Sequence, residues 1–132
     1  MHNHINVIIF KKKGVENVGF NTTWSKILGV VLLIAGILGF LMGNDLYGFA
    51  VNGMHNIVHL VTGALFAWAG FSAGGKNSKK MNQWLGAIYL LVAILGLIGV
   101  QFLMTLLNLN TADQWLHLAL GVVTAGAGFW GE

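Results

Sequence analysis

The chain has 132 residues, of which 56% are hydrophobic and only 8% are charged, with a formal net charge of +3. A soluble domain averages about 25% charged residues, so this composition excludes an ordinary soluble domain and indicates an integral membrane protein. The chain contains no cysteine, which excludes disulfides, iron–sulfur clusters and thiolate metal sites.

The first segment, residues 1–23, is predicted to be a cytoplasmic tail. Its apolar run at residues 5–10 is short and is followed by three lysines, which is the wrong order for a signal peptide. Lys11, Lys12 and Lys13 could meet anionic lipid head groups. His2 and His4 could bind a metal weakly, but a solvated tail is the simpler interpretation.

Four apolar stretches follow, each close to the roughly 20 residues that a helix needs to cross a bilayer. They are residues 24–43, 52–72, 82–100 and 110–130, and an extension of the third to Leu106 is an alternative. The runs lack period-two alternation, which disfavours transmembrane β-strands. We therefore predict a transmembrane domain at residues 24–132.

The second stretch returns later in the chain. Residues 52–71 and 110–129 share eight of twenty positions. The first and third stretches are related at an offset of 57, through Leu28, Gly29, Leu33, Ile37, Leu38 and Gly39 and their counterparts Leu85, Gly86, Leu90, Ile94, Leu95 and Gly96. The predicted fold class is an all-α membrane protein, an up-down bundle of four transmembrane helices built from two hairpin repeats, 24–72 and 82–130.

The lysines predict the orientation. All seven cationic residues lie before the first span, at its start, or in the loop between spans two and three. Cationic residues are retained on the cytoplasmic side, so we expect both termini and the 72–83 loop to be cytoplasmic. The basic charge then reflects topology: it indicates the lipid bilayer as the partner and gives no support for nucleic-acid binding.

One face of spans two and four combines polar and small residues. At helical spacing, these faces hold Asn52, His55, His59, Gly63 and Ala67, and Asn110, Asp113, His117, Gly121 and Ala125. Small residues at four-residue spacing let helix backbones approach closely in lipid, so Gly63, Ala67, Gly121 and Ala125 are predicted packing positions. The polar residues on the same faces must then point into the bundle.

Several roles are open for the polar residues. Asn52 and Asn110 are expected to cap their helices, and Asp113 suits the positive end of a helix dipole. His59 and His117 lie too deep to cap, and the favoured interpretation is a hydrogen bond to each other, to a carbonyl, or to Asn56 or Gln114.

The alternative for the histidines is a cofactor site. His55, His59, Asp113 and His117 offer three imidazoles and a carboxylate for a transition metal. Alternatively, His59 and His117 could ligate a haem, with Gly63 and Gly121 leaving room for its ring. A proton or small-solute pathway lined by the same groups is a further alternative.

The paired motif resembles a known family. Asn-x-x-His-Asn-x-x-His-Leu-x-x-Gly at residues 52–63 and Asn-x-x-Asp-x-x-Leu-His-Leu-x-x-Gly at residues 110–121 are similar to the small bacterial four-span proteins grouped as domain of unknown function 4383. The likeness covers residues 24–130, and Gln114 departs from the expected asparagine. The resemblance implies a multi-pass protein of the bacterial cytoplasmic membrane and brings no assigned activity.

The function predicted from sequence is non-enzymatic. The serines all lie toward the cytoplasmic edge, so no serine nucleophile can be assembled beside the histidines. The first span carries no deep acidic residue of the kind a proton-coupled exporter needs. We expect a structural or assembly role in which the polar cluster locks the bundle, with a homo-oligomer or another membrane protein as candidate partner.

Overall fold

The computed structural model describes residues 19–132, so the tail residues His2, His4 and Lys11–Lys13 lie outside it. The described part of the chain contains five α-helices. These are α1 (Phe20–Met42), α2 (Gly53–Phe71), α3 (Ser78–Leu97), α4 (Gln101–Leu107) and α5 (Thr111–Trp130). A two-strand antiparallel hairpin, β1 (Asp45–Leu46) and β2 (Phe49–Ala50), joins α1 to α2, and a 3-10 turn (Ala73–Gly75) joins α2 to α3.

The third helix is shorter than the longest version predicted from sequence. Its regular structure ends at Leu97, and Gly99 has a φ of 86°, a left-handed conformation that glycine adopts without steric cost. The chain then begins the separate helix α4 at Gln101. The alternative in which this span continues to Leu106 is therefore wrong, because the backbone turns at Gly99.

The long helices pack as two antiparallel pairs, α1 with α2 and α3 with α5. In the first pair Gly29 abuts the backbone of Ala67, and in the second Gly86 abuts the backbone of Ala125. Without a Cβ, each glycine lets its partner helix approach closely, which is how helices gain packing energy in lipid. The two glycines are 57 positions apart in the chain and the two alanines are 58 apart, so the second contact recurs at nearly the same spacing.

A second close approach recurs at the same spacing. A Cβ added to Gly63 would lie 2.8 Å from the backbone nitrogen of Leu33, and one added to Gly121 would lie 2.8 Å from that of Leu90. These distances are shorter than real Cβ contacts. Gly63 and Gly121 are therefore in direct contact with the neighbouring helix backbone.

Polar side chains tie the two pairs together at the end where α1 begins. Asn82 Nδ2 donates to Asn21 Oδ1 at 2.9 Å, and Asn82 Oδ1 accepts from Ser25 Oγ at 3.0 Å. Asn21 Nδ2 also donates to the carbonyl of Ala127 at 2.7 Å. All three polar residues are at least 98% buried. The interior at this end is held by satisfied hydrogen bonds.

The outside of the bundle is apolar. Large hydrophobic side chains are exposed on all four long helices, including Val31, Val61, Leu91 and Val123. Two of the described helices, α1 and α3, are long and apolar enough to cross a membrane. The polar residues of the other two long helices, α2 and α5, lower their mean hydropathy.

Candidate metal centre

The site lies at the end of the bundle opposite the lysine-rich connection. The hairpin and α4 close this end, and they bury four apolar side chains there: Leu46, Val51, Leu107 and Leu109. The helices α2 and α5 both begin beneath this cover, and their histidine side chains reach each other there: the ring centroids of His55 and His117 are 5.6 Å apart. The polar residues on the inward faces of α2 and α5 therefore meet inside the molecule.

Three histidines converge at this point. Each offers a ring nitrogen, and these nitrogens all lie within 4.8 Å of one another. The ring centroid of His55 lies 4.4 Å from that of His59 and 5.6 Å from that of His117. His55 and His59 are one turn apart on α2, while His117 comes from α5, so the group depends on the packing of two helices.

The histidines are enclosed but lack partners. His55 and His117 are 1% and 7% exposed, and His59 is half-buried with its Nδ1 enclosed. The backbones of Ala50 and Leu107 approach the His55 ring. Even so, among residues 19–132 neither nitrogen of His55, nor Nδ1 of His59 or His117, has a partner with hydrogen-bond geometry.

This finding bears on the hydrogen bonds predicted across the bundle. The Nδ1 atoms of His59 and His117 do not form them within the described part of the chain. Asn56, one of the predicted partners, is 2% exposed and packs against Gly39. Leaving a buried polar group unpaired costs about 1–3 kcal/mol, and a water or an ion bound between the three rings would offset a cost of this size.

Asp113 occupies a different role from the histidines. Its Oδ2 accepts a hydrogen bond from the backbone N–H of Asn110 at 2.9 Å, and its own N–H donates to Asn110 Oδ1 at 2.9 Å. This reciprocal pair is a capping box at the start of α5. Asp113 is not a member of the group formed by the three histidines.

The two predicted cap asparagines also connect the halves of the molecule. Asn52 Oδ1 accepts from the backbone N–H of His55 at 2.9 Å, as a helix cap does. The amide nitrogens then reach across: Asn52 Nδ2 donates to the carbonyl of Leu106, and Asn110 Nδ2 donates to that of Gly48. Each cap therefore fastens the cover of the site to the opposite half.

Residues 23–130 match the family model described as Domain of unknown function (DUF4383). The chain belongs to this family. No curated protein and no solved structure matches it. The family description carries no activity, so any function for this DUF4383 chain has to be argued from the site itself.

This DUF4383 chain has no open space for a haem beside Gly63 and Gly121. The sequence hypothesis needed Gly63 and Gly121 to leave room for the ring. Both glycines instead contact the backbones of neighbouring helices, at Leu33 and Leu90. The part of the haem hypothesis that assigned open space to these glycines is wrong, because helix packing fills that space.

Tyr89 is a site residue that the motifs did not reveal. Its ring lies 5.9 Å from that of His117 at an interplanar angle of 23°, and its hydroxyl is 2.8 Å from Thr62 Oγ1. Tyr89 is 4% exposed and belongs to a buried stripe of α3 with Leu85 and Ala93. That four-residue spacing was the available signal, but nothing in it pointed to the histidines.

An apolar groove reaches the histidines of this DUF4383 chain from the side. It has a volume of about 360 Å³ and runs between α1 and α5, beneath the hairpin. Alkyl side chains make up most of its walls, and His59, Tyr89, Asp113 and His117 lie along it as well. His59 and His117 can therefore be reached by a ligand from the groove.

Proposed function

We propose that the protein is a four-span protein of the bacterial cytoplasmic membrane that binds one transition-metal ion through His55, His59 and His117. The observation that carries the proposal is the convergence of three enclosed imidazoles within 4.8 Å, in which Nδ1 of every ring lacks a hydrogen-bond partner among residues 19–132. A divalent cation supplies a partner for one nitrogen of each ring, and neutral imidazole is a preferred ligand of zinc and copper.

The coordination chemistry favours zinc as the first ion to test. Three imidazoles with one open position resemble the arrangement in which zinc keeps a site for water or another ligand. Zinc–nitrogen bonds of about 2.0–2.1 Å hold tetrahedral ligands roughly 3.4 Å apart, so the imidazoles would close by about 1.5 Å at most. Side-chain rotation of that size leaves the helices in place.

Binding is proposed here, and catalysis is not. Asp113, a carboxylate along the same groove, is occupied in the capping box of α5. Ser25 and Ser78 lie at the far end of the bundle, in hydrogen bonds to Asn82 and to the carbonyl of Ala69. Neither serine can act as a nucleophile beside the metal.

Membrane placement is supported by the surface of the bundle. Soluble monomers rarely expose contiguous apolar patches larger than a few hundred Å². Here α2 and α5, which carry the polar stripes, still direct large apolar side chains outward, among them Ile57, Leu65, Val122 and Phe129. Together with the apolar α1 and α3, this outward face fits four membrane spans surrounded by lipid.

Orientation is supported by the position of the cationic residues. Lys79 Nζ donates to the carbonyl of Gly131, and Lys26 Nζ lies 5.4 Å from the ring of Phe71. The described lysines thus share the end formed by the start of α1, the α2–α3 connection and the C-terminus. Retention of cations on the cytoplasmic side would place the histidines toward the opposite surface of the membrane.

A duplicated hairpin accounts for the recurrence of contacts. Asn21 donates a hydrogen bond to the carbonyl of Ala127, and Ser78 donates one to the carbonyl of Ala69. Ser78 comes 57 positions after Asn21 in the chain, and Ala69 comes 58 positions before Ala127. Such an exchange is expected when two similar hairpins pack around a pseudo-two-fold axis along the membrane normal. The histidine site departs from this symmetry, because the counterpart of His55 in the second hairpin is Asp113, which belongs to a capping box.

The purely structural role that the sequence favoured is less well supported. A cluster that locks a bundle does so through hydrogen bonds between its members. Such bonds are found at the other end of the molecule, around Asn82. The Nδ1 atoms of the histidines lack them within the described residues.

The test is the metal content of protein purified through a tag that binds no metal, without chelators, from cells supplied with zinc, copper, iron and haem. We expect about one metal ion per chain, measured by elemental mass spectrometry. Single changes His55→Asn, His59→Asn and His117→Asn should each remove it. The double variant His2→Asn/His4→Asn is the matched control, because it changes the other two histidines and should keep the metal.

Two results would overturn the proposal. One is unmodified protein that contains no stoichiometric metal and gains none on titration with zinc. The other is a bound metal that survives in all three single variants, or that is lost in the His2→Asn/His4→Asn control.

A further inference from the structure

The groove between α1 and α5 has the shape and chemistry of a lipid-chain site. Val31 and Ile34 of α1 and Leu116 of α5 line it, and they are 52%, 51% and 39% exposed. Because these wall residues reach the outer surface of the bundle, the groove opens sideways, toward the bilayer in the proposed topology. A hydrophobic ligand could enter it without passing through water.

The groove changes character along its length. At the covered end it meets His59, His117 and Asp113, while Leu28, Leu32 and Leu120 line the stretch nearer the middle of the helices. Polar groups at one end and alkyl walls elsewhere match an amphiphile with one head and one chain. The volume of about 360 Å³ lies at the small end of the range found for ligand pockets.

The direction of the groove fits one leaflet. In the proposed topology the histidines lie toward the surface opposite the lysines. A lipid of that leaflet has its head group at the level of the histidines, and its chain points toward the bilayer centre. The alkyl part of the groove extends in the same direction. A lipid of the lysine-side leaflet would have its head group at the wrong end.

The charge of the site selects the head group. Three neutral imidazoles around a divalent ion leave two positive charges inside a low-dielectric bundle, and the carboxylate of Asp113 along the groove can offset at most one of them, so a second anion close by is favoured. His117 is 7% exposed, its Nδ1 has no hydrogen-bond partner within residues 19–132, and its side chain lines the groove. A carboxylate at the open coordination position would supply both the fourth ligand and the missing negative charge.

We propose that the groove binds a long-chain fatty acid, or a lipid of the same carboxylate-headed type, with its carboxylate on the metal held by His55, His59 and His117 and its chain between α1 and α5. This inference rests on the proposed metal site and topology. It assigns to the protein the capture of a membrane-borne carboxylic acid from the leaflet opposite the lysines.

The experiment is photo-crosslinking in lipid vesicles that contain the zinc-loaded, full-length protein. The probe is a long-chain fatty acid with a diazirine near the end of its chain, and its methyl ester is the comparison. We expect the acid to label groove residues of α1 and α5, and the ester to label them roughly tenfold less, since it lacks the charge-assisted contact. Labelled peptides are mapped by mass spectrometry.

Two tryptophan variants provide a matched control. Ala35 lines the groove, so Ala35→Trp should fill it and remove the preferential labelling while leaving the bound zinc in place. Ala64 is exposed on α2 and is not among the groove residues, so Ala64→Trp should change neither labelling nor zinc. Equal metal content in both variants shows that the bundle is folded.

Failure of this inference can be distinguished from failure of the metal site. Zinc bound stoichiometrically, with acid labelling spread evenly over all exposed helices or unchanged in Ala35→Trp, would overturn the groove proposal alone. Equal labelling by acid and ester would overturn the carboxylate contact. Preferential labelling by a photoreactive phospholipid over the acid would also contradict it, because the head group would then be of another type.

Discussion

Ser25 donates a hydrogen bond to Asn82 at 3.0 Å, and these two residues occupy corresponding positions, 57 residues apart, on α1 and α3. If the two helix pairs are the duplicated hairpins proposed above, two equivalent positions that touch each other lie beside the axis that relates them. Both side chains are fully buried. At the end of the bundle opposite the histidines, this contact joins α1 to α3.

The first prediction concerns this contact. Asn82→Ala should lower the free energy of unfolding by about 1–3 kcal/mol, because it leaves buried groups of Ser25 and Asn21 without their partner. Ser25→Ala removes a single bond and should cost nearer the roughly 0.6 kcal/mol average for such bonds in membranes. Thermal unfolding in detergent is the measurement. Gln101→Ala, which alters an exposed amide, is the control and should have little effect.

The second prediction uses two glycines of α5 that differ in their surroundings. A Cβ on Gly121 would press against Leu90, whereas one on Gly126 would meet no atom within 4 Å. Gly121→Ala should therefore lower the unfolding temperature. Gly126→Ala should raise it slightly, since alanine is favoured over glycine in a helix by about 1 kcal/mol. A loss of stability in both variants would contradict this picture of the helix contact.

Enlarging the side chain further extends that test. Gly63→Leu and Gly121→Leu should each reduce thermal stability more than Leu65→Ala does, because Leu65 is 39% exposed and both glycines contact a helix backbone. Smaller losses at the glycines would indicate open space beside them.

The third prediction separates the cap of α5 from the histidine site. Asp113→Asn should leave the zinc content of the purified protein unchanged, since the carboxylate belongs to the capping box and not to the histidine group. Asp45→Asn, an exposed acidic residue in the hairpin that covers the site, is the matched control. Loss of zinc in the Asp113 variant alone would show that this carboxylate is a ligand after all.

The fourth prediction concerns the asparagine caps. Asn52→Ala and Asn110→Ala each remove a cap, worth about 1 kcal/mol, together with a bond to the opposite half. Asn77 precedes α3 and makes no side-chain cap, so Asn77→Ala should cost less than either. Thermal unfolding of the three variants side by side would check this order.

The fifth prediction is the orientation. Reporter fusions after Ser78 and after Glu132 should be active as cytoplasmic reporters, and a fusion after Gly48 should be active on the other side of the membrane. A periplasm-active fusion at Ser78 or Glu132 would contradict the proposed topology and, with it, the leaflet assigned to the groove.

The sequence predicted features that depend on local pattern. Asn52 and Asn110 cap their helices, and the helices themselves begin and end near the predicted residues, because caps and apolar runs are set by neighbours in the chain. The gathering of His55, His59 and His117 was one of the stated alternatives, since helical spacing places them on inward faces.

The features that the sequence did not predict depend on packing between distant segments. Whether His59 finds a hydrogen-bond partner depends on which side chains the other helices bring beside it, and the role of Tyr89 depends on how α3 lies against α5. The end of α3 was ambiguous because apolar residues continue past Gly99. No local pattern reveals that the amide of Asn52 reaches Leu106.

The bonds of Asn52 and Asn110 to opposite halves also carry a consequence for biosynthesis. Ribosomes deliver the N-terminal half first. In the proposed topology α1 and α2 therefore enter the membrane before Asn82 and Leu106, the partners of Ser25 and Asn52, have been made. The first hairpin then carries unpaired polar side chains in lipid, and the insertion machinery would have to keep it away from the lipid until α3 and α5 are made. A nascent chain stalled after α2 should remain at that machinery, and release should coincide with synthesis of α5.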